Sequence, residues 1–312
     1  MLNPKAGFRP DDPARALGLR PTAPAAIDAE RIARLEAEVS RLKARVAKRD
    51  WLMGNRARLE RELAREVPRV RGLAPDAFFR DHWCTLRPVI LEGLVDHWPA
   101  MAHWGLDHFR ALGNPQVEVQ TGREADPDFE SNSPAHRTLM RWHELLDRLA
   151  GDPTTNDFYM TANNGSVNRK ALARLWEEIG PLPGFLEKNR MGDGFFWMGP
   201  KGTITPWHHD LTQNFLLQVR GTKRVTLAAP EETPRMRNHL HCFSQWGTRT
   251  DFSGEPDAPH TLQCDIGPGD MLFLPVGWWH HVEALSMTIG MSFTNFVWSN
   301  DFEKALTARD QL

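Results

Sequence analysis

Apolar residues are sparse but regularly placed in the first part of the chain. Residues 1–26 are rich in Pro, Ala and charge, with too little apolar surface to bury, and are expected to be disordered or loosely attached. Residues 27–70 form a helical, coiled-coil-like segment. Within it Ile32, Leu35, Val39, Leu42 and Val46 recur at alternating spacings of three and four. That is a heptad seam with β-branched residues at a and leucine at d, the choice that favours a parallel two-stranded coiled coil. In this register the g-to-e′ pairs are Arg31 with Glu36, Glu38 with Lys43 and Arg45 with Asp50, all of opposite charge. The seam decays at Arg49 and Gly54, short of the three to four heptads usually required. The same pattern also fits an amphipathic helix packed on its own domain.

From residue 71 to 312 the pattern is that of one domain, mainly β with helical additions. Pro88-Val-Ile-Leu-Glu-Gly93 reads as a buried strand closed by glycine, Gln116-Val-Glu-Val-Gln120 as an alternating strand, and residues 104–112, 141–149 and 170–179 as helices. Phe195-Phe-Trp-Met-Gly199, Asn214-Phe-Leu-Leu-Gln-Val-Arg-Gly221, Lys223-Arg-Val-Thr-Leu-Ala228 and Asp270-Met-Leu-Phe-Leu-Pro275 are short apolar strands, and Gly267-Pro-Gly-Asp270 is a tight turn. Short strands divided by turns predict a small β-barrel, with room for a site in its mouth. Residues 231–259 read as a long polar surface loop and residues 301–312 as a short helix.

Composition narrows the class. Of 312 residues 41% are hydrophobic and 25% charged, as in ordinary globular proteins. The net charge of −2 gives no general reason to expect nucleic acid as a partner. Cys84, Cys242 and Cys264 are few and widely spaced, as in a reducing compartment. No apolar run has the length of a membrane span or a signal peptide core, so a cytoplasmic protein without membrane contact is expected.

Candidate chemistry sits in two places, Ile204-Thr-Pro-Trp-His-His-Asp210 and Trp278-Trp-His-His-Val282. Residues i and i+2 of a strand point the same way, which groups His208 with Asp210 and leaves His209 opposite. With His280 from a neighbouring strand they would make the two-histidine, one-carboxylate facial triad of non-haem Fe(II) oxygenases.

Thr205-Pro206-x-His208-x-Asp210, Gln213-Asn214-Phe215, Gln218-x-x-Gly221-x-Lys223 and Pro275-x-x-Trp278-Trp279-His280-His281 resemble the JmjC-type, cupin-like hydroxylases. Their motifs are most like those of the asparaginyl hydroxylase that inhibits hypoxia-inducible factor. The resemblance covers residues 73–298. It implies a double-stranded β-helix (a jelly-roll, cupin-like barrel) that uses Fe(II), 2-oxoglutarate and O2, with succinate and CO2 as co-products. It implies His208, Asp210 and His280 as metal ligands and catalytic centre. Lys223 would pair with the distal 2-oxoglutarate carboxylate, assisted by Thr205 and Tyr159, the only tyrosine of the chain. Asn214 would line the co-substrate site, and Ser292 stands where the relative has asparagine. By analogy the substrate is a protein or peptide side chain, and a homodimer would form through the N-terminal helix or the C-terminal tail. Small-molecule hydroxylation, demethylation and a non-catalytic cupin-fold scaffold are the competing readings.

Other eye-catching residues read as structural. His209 and His281 point away from the ligands by alternation. His239-Leu-His-Cys242 lacks a second Cys/His pair at zinc-ligand spacing. Most of the tryptophans should be core, with Trp207 and Trp246 the best placed to line a substrate groove.

Overall fold

A computed structural model of the chain describes residues 29–63, 65–161, 165–187 and 194–302. The expectations for residues 1–26 and for the tail beyond Phe302 lie outside them. The chain divides into two units, residues 1–52 and 53–312. Helix α1 (Ala29–Leu63) begins in the first and ends in the second. Its final turns pack on the barrel: Ala57 and Glu60 are buried, Arg61 donates to Glu232 at 2.9 Å, and Glu60 pairs with Arg87.

Strands β1 (Arg69–Arg71), β2 (Val89–Glu92), β3 (Gln116–Gln120) and β4 (Arg137–Arg141) precede the barrel. Then come β5 (Phe195–Gly199), β6 (Ile204–His209), β7 (Asn214–Arg220), β8 (Lys223–Ala228), β9 (Asn238–Leu240) and β10 (Phe243–Ser244). The last four are β11 (Leu262–Ile266), β12 (Met271–Leu274), β13 (Trp279–Ala284) and β14 (Thr288–Phe293). One six-stranded sheet runs β1-β2-β12-β7-β14-β5, a second β11-β8-β13-β6-β10-β9, and β3 and β4 form a separate antiparallel pair. Consecutive barrel strands alternate between the sheets except at β8–β11, which pair directly. A long hairpin folded over on itself in this way is a jelly roll. β12 and β14 are buried along their whole length, because one face meets the barrel interior and the other the preceding helices. Gly221 closes the β7–β8 turn at φ +72°, where an added Cβ would strike the Met287 carbonyl.

Three local expectations change. The helix expected over residues 170–179 is a helix at Gly165–Ala171 followed by a 3-10 turn at Ala173–Glu178. The tighter turn eclipses positions three apart and puts Leu172 and Leu175, both buried, in line. Residues 231–259 are not a plain surface loop: they bury Met236 and Trp246 and satisfy the outer edge of β6, with Trp207 N donating to Gly247 O at 2.9 Å and His209 N to Cys242 O at 3.1 Å. An uncovered edge there would expose unpaired backbone groups. Trp207 and Trp246 are core residues, packed with Trp279 and Met236. Their indoles donate to Arg249 O at 2.7 Å and Arg235 O at 2.9 Å, which turns both rings inward, and Trp207 borders a cavity beside Pro206 and Phe243 from its core side.

Candidate metal and co-substrate site

The site begins with an irregularity in β6. Opposite β13, Thr205 pairs with Val282 and His208 with His280, so three steps on one strand match two on the other. This is a β-bulge at Pro206-Trp207, where proline has no N–H to give the ladder. The extra residue resets the alternation, and Thr205 and His208 both face the cavity together with His280 and Val282. Trp207 is turned into the opposite core. His281, out of phase with His280, lies 5.9 Å from the Trp207 ring. His209 stacks edge-on to Trp279 at 4.7 Å.

His208, Asp210 and His280 converge, with their ligand atoms within 4.8 Å of one another and the two imidazoles 4.1 Å apart. Each imidazole is oriented by its own strand: His208 Nδ1 lies 2.8 Å from Pro206 O and His280 Nδ1 3.0 Å from Trp278 O. A carbonyl can only accept, so Nδ1 carries the proton and Nε2 keeps a free lone pair. Burial pushes the pKa of both histidines below the usual value, and for His208 the neighbouring His280 adds to the effect. Both are therefore neutral, as ligands must be. Asn214 Nδ2 donates to Asp210 Oδ2 at 3.2 Å and fixes the carboxylate.

The opposite wall suits an anion. Lys223, 2% exposed, donates from Nζ to the Tyr159 hydroxyl at 3.2 Å. No carboxylate pairs with it among the described residues, which leaves a buried cation short of a counter-charge. Gly290 lies beside it and lets β14 approach β7, since a Cβ there would come 2.8 Å from Leu217 O. Tyr159 rests on Gly199, where a Cβ would collide with its ring. The cavity enclosing all of these holds about 440 Å³ including its mouth, and Leu216, Leu274 and Val282 complete its apolar walls. The donor set fits a divalent metal, and the lysine wall fits a dicarboxylate.

All eight residues singled out in the sequence thus line one cavity, although Asn214 also braces Asp210, and Ser292 Oγ is occupied as acceptor for Trp197 Nε1 at 2.9 Å. The sequence offered no sign of Trp197 as a wall residue, or of Arg123 and Glu130. Arg123 is fully buried, with its guanidinium 4.4 Å from the Phe129 ring and 5.1 Å from Tyr159. It donates to Ile204 O at 2.8 Å and lies 3.4 Å from Glu130. Burial pushes the Glu130 carboxyl up although Arg123 opposes it. An arginine in Gly122-Arg-Glu-Ala-Asp126 reads as a solvated loop residue, and only the fold buries it.

Residues 75–304 match the family described as "Cupin-like domain". Lysine-specific demethylase 8 of Danio rerio is 30% identical over 73% of this chain and 58% of its own length, and that of Xenopus tropicalis 29% over 69% and 49%. tRNA wybutosine-synthesizing protein 5 of Gallus gallus is 26% identical over 74% of this chain and 76% of its own length. The chain spans about half the length of the demethylase relatives. Among the described residues no helix is long and apolar enough to cross a membrane.

Proposed function

The chain belongs to the cupin-like domain family, and on that premise we propose that it is an Fe(II)- and 2-oxoglutarate-dependent dioxygenase that hydroxylates a C–H bond on a protein or peptide side chain. JmjC enzymes of this kind use Fe(II), 2-oxoglutarate and O2. The observation that carries the reading is the union, in one cavity, of His208, Asp210 and His280 with a buried lysine that lacks a carboxylate partner. Bound iron and 2-oxoglutarate would supply the oxidant for C–H cleavage, with succinate and CO2 as co-products.

The chain's own residues hold and orient. His208, Asp210 and His280 would take one face of the metal and leave the others open. Lys223 would bind the distal carboxylate of 2-oxoglutarate through a charge-assisted hydrogen bond, with Tyr159 and Thr205 as neutral donors. Asn214 keeps the Asp210 carboxylate in place. Leu216, Leu274 and Val282 exclude water from the reacting atoms. A protein substrate is supported by the names of the demethylase relatives.

The test is 2-oxoglutarate turnover to succinate with Fe(II), followed by mass spectrometry of peptides from histone tails and from cell extract. A peptide that gains one oxygen only when 2-oxoglutarate is present supports the proposal. Loss of a methyl group from methyl-lysine with release of formaldehyde makes the chain a demethylase, and oxygen gained on tRNA moves the substrate to nucleic acid. Absence of turnover with all three substrates would return the barrel to a binding role.

A further inference from the structure

The apolar seam of α1 is uncovered in the single chain. Ile32, Leu35, Val39, Leu42 and Val46 are 40 to 53% exposed. Further along, the stripe is already occupied, since Met53 is half-buried and Ala57 and Glu60 are buried against the barrel. The free seam therefore ends before Met53 and spans about two heptads.

We infer that this seam binds a second copy of the chain as a parallel, in-register two-stranded coiled coil. The charges beside the seam select that register. In register, Arg31 faces Glu36, Glu38 faces Lys43 and Arg45 faces Asp50 of the other copy. Slipping one heptad in one direction sets Arg31 against Lys43 and Glu38 against Asp50. The same slip sets Glu38 against Glu36 and Arg45 against Lys43 on the other flank of the seam, and by symmetry a slip in the opposite direction gives the same set. Every slipped pair is repulsive, so the flanking charges act against misregistration as well as for pairing.

The seam residues select the orientation. A parallel dimer stacks like on like and fills five apolar layers, with β-branched side chains meeting at a and leucines at d, the preferred packing for two strands. The antiparallel arrangement with the best charges sets Val39 against Leu42 and Leu35 against Val46. It fills only four layers and places Ile32 against Arg49. With so few layers the dimer should be concentration-dependent.

The test is sedimentation equilibrium on the full chain across a concentration series, with metal affinity as a check that the barrel is intact. E38K or K43E alone turns two symmetric attractive pairs into repulsive ones and should raise the dimer Kd roughly 5- to 30-fold. The double variant E38K/K43E restores opposite charges in the parallel register and should recover most of the affinity. In the antiparallel form Glu38 would face Arg45 and Lys43 would face Glu36, so the double variant would dimerise worse than either single one. That result would overturn the orientation. A wild-type chain that stays monomeric at tens of micromolar, or a dimer indifferent to both single changes, would overturn the interface itself.

Discussion

Replacing Lys223 by methionine should push two measurements in opposite directions. The ammonium is 2% exposed, and its hydrogen-bond partner is the neutral Tyr159 hydroxyl at 3.2 Å. Burying a charge costs several kcal/mol even after relaxation, and one hydrogen bond by a charged group returns about 1.5–3 kcal/mol. Methionine has nearly the same length and no charge, so the protein without 2-oxoglutarate should gain about 1–3 kcal/mol. For a domain of this size each kcal/mol shifts Tm by about 2–4 °C, and the melting temperature should rise by several degrees. In the proposed function the same change would remove the ion-pair partner of the distal carboxylate, worth about 1.5–3 kcal/mol, or about one to two decades in Kd. Calorimetric melts without ligand, and titration of 2-oxoglutarate in the presence of a redox-inert divalent ion, read the two effects separately. A lower Tm together with an unchanged Kd would refute the reasoning and make Lys223 a structural residue.

Four further outcomes follow from the geometry. His208→Ala and Asp210→Ala should each abolish measurable metal binding with the barrel still folded, whereas His281→Ala, whose ring faces Trp207, should cost far less, as metal titration followed by circular dichroism will show. Asn214→Ala removes the brace on Asp210 and should weaken metal about 10- to 100-fold in the same titration. Gly290→Ala forces a Cβ to within 2.8 Å of Leu217 O and should lower stability by roughly 1–3 kcal/mol in a denaturant melt. At pH 8 iodoacetamide should modify the exposed Cys84 first. Burial pushes the Cys264 thiol up to about 12, which leaves roughly one part in ten thousand as the reactive thiolate, and peptide mass spectrometry that finds Cys264 labelled as fast as Cys84 would contradict this.

Much of the barrel was legible because its strands are short apolar runs cut by turns that only glycine and proline make well. Asn214–Arg220, Lys223–Ala228 and Met271–Leu274 form where periodicity placed them, since burial on one or both faces is written into each residue's own polarity. The triad was legible for a related reason: metal chemistry restricts the donor types, and His208, Asp210 and His280 carry them at strand spacing. The helix over Ala29–Leu63 was legible because the spacing of its apolar residues is a strictly local repeat.

What remained hidden depended on neighbours distant in sequence. Strand alternation alone sets Thr205 and His208 on opposite faces; the mismatch against Val282 and His280 puts both inside, and it exists only once β6 pairs with β13. Arg123 looks like a loop cation until Phe129 and Tyr159 close around its guanidinium. Trp207 and Trp246 look like groove walls until residues 231–259 fold over the edge of β6 and bury them. Local polarity and spacing therefore determined which elements form and which side chains can bind metal. Long-range pairing decided which way each side chain points and which charges lose their water, because both depend on atoms that only folding brings together.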